Sequence, residues 1–269
     1  MITTVLMGGL GNQLFQLFNL MAYAETNKQE FYLEDIPPQR EDRSFYWDTL
    51  LASLRKYLKP VVAVPIYQEP RFEYDAITSY RQINQPFKFL GYFQSYRYFQ
   101  KYETLLMERI ELAATLERTR KLYPFDFSTT ISMHFRIGDY KYLPDYHPVL
   151  PISYYVNALN VVRRMTTARK VIYFYEPADQ KEVEDHIHKL VAMFPELTFV
   201  SVDHTVSDHE QLALMACCSH QIIANSTFSW WGAYFNPNPE KIVTYPSKWF
   251  GPAQTKDTSD LFPTTWIKI

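Results

Sequence analysis

Glycine is scarce in this chain, with seven residues in 269, yet Gly8, Gly9 and Gly11 all fall within the first eleven positions. A chain this poor in glycine keeps it where backbone turns tightly or comes close to a ligand. Cysteine is scarcer: Cys217 and Cys218 are adjacent in an apolar segment, which excludes a disulfide framework and suits a reducing, cytoplasmic setting. Neither sign of charge is in excess. A formal net charge of −2 argues against a nucleic-acid partner, and the short clusters Arg163-Arg164 and Arg118/Arg120/Lys121 read as solvated helix faces. No Asp-x-Asp sequence and no Cys/His ligand spacing occurs, so no metal is expected; His186-Ile-His188 reads as two surface histidines. The longest strongly apolar run, Leu14–Ala24, is interrupted by Gln16 and Asn19. It is too short to cross a bilayer and lacks the features of a secretory leader. No transmembrane segment is expected, while peripheral membrane association and excision from a longer chain stay open.

What is abundant is apolar and aromatic: 47% hydrophobic residues and 17% aromatics, with 21 Tyr and 19 Phe. That composition supports a globular fold, and its length fits two modest domains. Apolar periodicity predicts strands at 2–7, 31–33, 61–66, 87–92, 130–134, 171–175, 198–202, 221–224 and 241–245. It predicts helices at 13–26, 48–58, 98–113, 151–166, 179–191, 208–218 and through Tyr234. Residues 35–45 read as a polar loop. The alternation predicts an α/β fold of two Rossmann-like domains facing one cleft. The proline-marked stretch Tyr123–Phe127 is taken as the hinge, giving domains 1–125 and 126–269.

Three stretches carry chemistry. Met7-Gly-Gly-Leu-Gly-Asn-Gln13 is a strand end, a glycine turn and a helix start, a geometry that aims backbone N–H groups and the helix dipole at an anion. It has neither the dinucleotide nor the Walker spacing. A tight structural turn explains it equally well, and Asn12 either caps the helix or reaches a ligand. His134-Phe-Arg-Ile-Gly-Asp-Tyr140 sets Arg136 just beyond a strand end, with Phe135 and Ile137 on the opposite side. A guanidinium there can grip a pyrophosphate through two bonds; the plain alternative is an Arg136–Asp139 surface ion pair. Ile222-Ile-Ala-Asn-Ser-Thr-Phe-Ser-Trp-Trp-Gly-Ala233 ends a strand in Asn225, then offers the hydroxyls of Ser226, Thr227 and Ser229 around Phe228 at a helix start. One hydroxyl would suffice for capping. Trp230 and Trp231 read as packing that locks the turn.

These motifs, with Phe93-Gln-Ser95 and Val202-Asp-His-Thr205, resemble the α-1,2-fucosyltransferase family, glycosyltransferase family 11, nearly along the whole chain and in order. The resemblance implies a GT-B-like fold, GDP-fucose as donor, inversion at the anomeric carbon and no metal or other cofactor. Carried over to this sequence, it implies Gly9, Gly11, Asn12, Gln13, Arg136, Asn225, Ser226, Thr227, Phe228 and Ser229 on the donor. Two positions depart from the family pattern: Ile137 stands where a second arginine is usual, and Tyr175-Glu-Pro177 replaces Ser-Asp-Asp.

The expectation is therefore an inverting glycosyltransferase acting on a nucleotide sugar and a glycan acceptor. Arg136 would stabilise charge growing on the leaving phosphate. The acceptor's general base is first sought in Asp139, with His134 and Glu176 as rivals. Arg71, Tyr92 and Gln94, in stretches mixing aromatics with hydrogen-bonding groups, are candidates for the acceptor. Two alternatives stand beside this reading: a different nucleotide sugar on the same fold, and a silent glycan- or nucleotide-binding module.

Overall fold

The computed structural model describes residues 1–37, 45–77 and 85–269. Residues 38–44 of the predicted 35–45 loop lie outside the described residues. The chain divides into two compact units, one of Met1–Ala113 with Lys256–Pro263 and one of Ala114–Thr255 with Thr264–Ile269. The change of unit thus falls inside a helix rather than at the proline stretch 123–127, and a C-terminal segment returns to the first unit.

In chain order the first unit carries β1 (Ile2–Thr4), α1 (Leu10–Asn27), β2 (Leu33–Glu34), β3 (Leu58–Lys59), β4 (Ile66–Gln68), β5 (Phe87–Leu90) and α2 (Glu103–Arg109); α3 (Leu112–Leu122) crosses the boundary. β1, β5 and β4 form a parallel sheet in that order, and the parallel pair β2–β3 joins it through a bridge between Ile2 and Phe31. α1 begins at Leu10 rather than Gln13 and buries nearly its whole length, including Gln13, Gln16 and Asn19.

Three expectations fail here. The strand expected at 61–66 sits at 66–68, because Pro60 and Pro65 bracket a segment whose Val61 and Val62 are exposed. The helix expected at 48–58 is only a 3-10 turn over Ala52–Tyr57. The helix expected at 98–113 is broken into short pieces, and Glu111 takes the left-handed conformation between α2 and α3 at φ 54°, which no helix interior tolerates.

The second unit continues with β6 (Thr130–His134), α4 (Ile152–Met165), β7 (Lys170–Phe174), α5 (Gln180–Met193), β8 (Thr198–Ser201), α6 (Asp208–Cys217), β9 (His220–Ile222), α7 (Thr227–Tyr234), β10 (Val243–Tyr245) and β11 (Ile267–Lys268). The two-residue β11 is too short to leave a sequence signal. All six strands run parallel in the order β11-β10-β9-β6-β7-β8. That is the doubly wound Rossmann order, whose direction of winding reverses between β6 and β9. One core cluster joins Phe135 and Ile137, just past β6, to Tyr155, Leu159 and Val162 of α4 and Val183, Ile187 and Leu190 of α5. His186 corrects the surface reading of the histidine pair. It is half-buried against Phe135 at 5.9 Å and Tyr155 at 6.2 Å, and burial lowers its pKa; His188 is exposed.

Candidate functional site

Ligands of open α/β sheets bind beyond the carboxyl ends of strands where the winding reverses. In the second unit that point lies between β6 and β9, and the two predicted donor motifs that belong to this unit, of three in all, leave the sheet there. The His134 and Phe228 rings stand 5.7 Å apart, and the Tyr140 hydroxyl donates to the Asn225 carbonyl at 3.1 Å. Tyr140 was not singled out from sequence, yet it ties the two loops together across eighty-five residues of chain.

Arg136 is mostly buried, with 16% of its side chain exposed, and donates to both Glu176 and Asp139, whose side chains are 55% and 57% exposed. Its guanidinium also lies 4.6 Å from the Tyr140 ring centroid. Burial works against its charge, but Glu176, Tyr140 and Asp139 hold its pKa above the ordinary value. The loop is braced from below by a residue sequence reasoning missed. Asp179, 1% exposed, accepts from the Gly138 amide at 2.6 Å and from the Lys141 ammonium at 2.8 Å. Gly138 is required by its φ of +33°, which a residue with a side chain rarely adopts; a Cβ there would also press on the movable ends of two side chains, 2.7 Å from the Glu176 Oε2 and 2.8 Å from Arg136.

His134 is sealed in, 8% exposed, with its Nδ1 unpartnered. Burial, and then Arg136, push its pKa down to about 3. It stays neutral at neutral pH and is a poor proton acceptor. Asp139 and Glu176, the other two base candidates, are both engaged by Arg136.

The serine-rich turn separates its hydroxyls. Ser226 is the N-cap of α7, its Oγ accepting from the Phe228 amide at 3.3 Å, and Ser229, 2% exposed, donates back to the Ser226 carbonyl at 3.4 Å. Two of the three hydroxyls therefore build the turn, while Thr227 and Phe228 at the helix start are half-buried. Asn225 donates its amide to the Pro148 and Trp249 carbonyls at 2.9 and 3.3 Å, and its side-chain oxygen is buried without a partner. Trp230 and Trp231 are fully buried, Trp230 stacking on Tyr234 at 4.7 Å.

In the first unit the glycine loop follows β1. Gly8 takes the left-handed turn at φ +73°, and the Asn12 side chain folds back so close that a Cβ on Gly8 would lie 2.5 Å from its Nδ2. Gly9 is the N-cap of α1 without a side-chain cap, so Asn12 is not the cap. Gly11 lies in the first turn of α1, and Gln13 is buried, donating to the Gly8 carbonyl at 3.1 Å. Gln94, in the loop after β5, donates to the Asn12 Oδ1 at 3.0 Å, joining two predicted site residues. Arg71 is taken up by Asp75 at 2.8 Å, and the Tyr92 ring is exposed. Glu69, just past β4, accepts from the Tyr92 and Phe93 amides at 2.7 and 2.9 Å.

A parallel α/β unit with an arginine loop and a helix start meeting at its switch point is the frame of a GT-B-type glycosyltransferase. The E. coli ADP-heptose LPS heptosyltransferase II has this fold, with a TM-score of 0.55 and 10% identity over 100% of this chain and 89% of that one. POFUT1, solved in complex with GDP-fucose, has it with a TM-score of 0.51 and 10% identity over 91% of this chain and 97% of that one. The chain belongs to Glycosyl transferase family 11, which matches residues 1–269. Among its relatives, the O-antigen biosynthesis glycosyltransferase WbnK of Escherichia coli is 35% identical over 53% of this chain, a match spanning 45% of WbnK. An alpha-1,2-colitosyltransferase of Escherichia coli is 22% identical over 98% of this chain and 97% of its own length. A galactoside 2-alpha-L-fucosyltransferase of Caenorhabditis elegans is 24% identical over 100% of this chain and 79% of its own.

Proposed function

We propose that this protein transfers L-fucose from GDP-fucose, with inversion, to a hydroxyl of a galactoside glycan in α-1,2 linkage. The observation that carries the reading is the meeting of the Arg136 loop and the α7 start at the switch point of the second unit's sheet. Arg136 would take the leaving β-phosphate, where negative charge grows as the glycosidic bond breaks. The first-turn amides of α7 with Thr227 would hold the pyrophosphate, and Asn225, Ser226 and Ser229 would fix that turn. Gly9, Gly11, Asn12 and Gln13 would also bind the donor, and Gln94, Tyr92 and Arg71 would bind the acceptor. The charge needed for departure would come from Arg136 and backbone amides rather than from a metal, in a cytoplasmic enzyme.

A second reading keeps the chemistry and changes the sugar. Ile137 and Tyr175-Glu176 stand at two places that depart from the family's usual residues, and one relative is named a colitosyltransferase. Purified protein is to be incubated with GDP-fucose, with GDP-colitose and with a panel of other nucleotide sugars, each with lactose as acceptor. Products are read by mass and by the anomeric coupling and linkage in NMR. An α-1,2-fucosylated product supports the first reading, and product only from another nucleotide sugar supports the second. Binding of nucleotide sugars with no product from any donor would leave a silent binding module.

A further inference from the structure

An acceptor hydroxyl is a poor nucleophile until a base removes its proton, and the residues first considered for that task are engaged elsewhere. Asp139 and Glu176 hold Arg136, and His134 is sealed in; Asp179, buried beside the same loop, holds Gly138 and Lys141. Another carboxylate, Glu69, stands at a strand end.

Glu69 directly follows β4, whose sheet neighbour β5 is in turn paired with β1. Its position places it at the carboxyl edge of the first unit's parallel strands, beside the loop that carries Gln94, which is bonded to Asn12 at the start of α1. The fold is built around its carboxylate. One oxygen accepts from the Tyr92 amide at 2.7 Å and the other from the Phe93 amide at 2.9 Å, so the group is fixed in orientation. Phe93 takes φ 51° to present that amide. Gly91 leaves the room: a Cβ there would run into the Glu69 Cβ and lie 2.6 Å from its Oε2. An exposed aromatic face, Tyr92, lies beside it, of the kind sugars stack on.

We propose that Glu69 is the general base of the transfer. It accepts the proton of the attacking acceptor hydroxyl while that oxygen bonds to the donor's anomeric carbon. The bond from that carbon to the phosphate oxygen breaks, and its electron pair leaves on the nucleoside diphosphate. The inference rests on the glycosyltransferase reading above.

The electrostatics agree with this geometry. Burial raises the pKa of Glu69 to about 7, against the lowering effect of the Phe93 and Tyr92 amides and of Lys256. Lys256 comes from the C-terminal segment that returns to this unit and sits 5.1 Å over the Phe72 ring. Tyr98 also faces Glu69 and is itself pushed upward by burial, so it stays a neutral phenol. A base whose pKa is near the working pH combines an ionised population with real proton affinity.

The test uses the full chain, with Glu69→Gln and Glu69→Asp beside wild type. Measured are kcat, the donor KM, GDP affinity by calorimetry, melting temperature, and the pH profile of kcat/KM for the acceptor. Wild-type activity should fall on the acid side with an apparent pKa near 7. Glu69→Gln should lose ~10²–10⁴-fold in kcat, the usual weight of a general base, and lose that acid limb, with GDP affinity kept. Glu69→Asp should recover part of the rate. Retention of the acid limb in Glu69→Gln overturns the proposal. So does a parallel fall of GDP affinity and kcat, which would make Glu69 only a brace for the loop bearing Gln94. A wild type that transfers no sugar counts against the functional reading alone. The titration of Glu69 by ¹³C-carboxyl NMR, assigned with Glu69→Gln, then decides, and a midpoint at the ordinary 4.5 overturns the inference.

Discussion

Arg136 faces a conflict that its neighbours create. In the proposed reading, a pyrophosphate approaching it would meet one cation already paired with two carboxylates, Glu176 and Asp139. One of them has to yield, and their exposure lets them move at little cost. Glu176→Gln should therefore tighten GDP binding, by about three- to tenfold for a half-exposed competing charge of ~1 kcal/mol. Calorimetry showing weaker binding would mean that Glu176 itself contacts the nucleotide. Arg136→Lys keeps the charge but loses the two-pronged geometry, and should lose ~10²–10³-fold in kcat; turnover within threefold of wild type, roughly the noise of such comparisons, would remove Arg136 from the leaving-group role. His134 makes a prediction on stability. Its pKa is about 3 in the folded chain and 6.5 in the unfolded one, so below pH 6.5 the unfolded state binds more protons. Stability should then be lost as pH falls from 6.5 toward 3. Melting curves of His134→Asn should be flatter over that window than those of wild type.

α7 shows how an element is fixed for a task. Its Trp230 and Trp231 are wholly buried, and its Gly232 lets it lie against α6, where a Cβ would stand 2.7 Å from the Met215 Cβ. That neighbour is the root of a side chain, not its flexible end, so the helices would have to part. Gly232→Ala should lower stability by ~1–3 kcal/mol, the common cost of overpacking, and should weaken GDP binding because the start of α7 tilts with it. A variant as stable as wild type in urea would show that the α6–α7 contact is looser than it looks. The same helix was legible in sequence, its end at Tyr234 to the residue, since its hydroxyls and aromatic run lie in one continuous segment. So was β6, with its alternation of Phe135 and Ile137 against Arg136. The partners that make these loops work were not legible. Asp179 braces Gly138 from forty-one residues away and Tyr140 reaches Asn225 from eighty-five. Their pairing follows from the strand order β9-β6-β7, which periodicity does not encode. The broken helix over 98–113 was misread for a related reason. Its apolar spacing is helical, but Glu111 turns left-handed between α2 and α3.

The whole molecule carries little net charge, −2 in all, and in the proposed transfer it would have to hold a donor whose diphosphate gains charge as the sugar departs. Nature supplies that compensation either with a divalent cation or with fixed protein charges and dipoles. A cation needs hard oxygen ligands, and in transferases that use one it sits against the pyrophosphate. Here the sequence has no Asp-x-Asp pair, and among the described residues no cluster of three or more His, Cys, Asp or Glu side chains could hold a metal. The carboxylates nearest the proposed phosphate site, Asp139 and Glu176, point at Arg136. The compensating charge would then be the guanidinium and the positive end of α7, both permanent parts of the fold. Turnover should persist in excess EDTA and rise by less than about twofold with added Mg²⁺ or Mn²⁺, the scale of a nonspecific ionic effect. Because the attraction is electrostatic, the donor KM should instead increase with ionic strength, and more steeply in Glu176→Gln, where Arg136 faces the phosphate with one competitor fewer. Abolition of activity by EDTA with recovery on Mn²⁺ would place the charge on a cation and reduce Arg136 to a supporting contact.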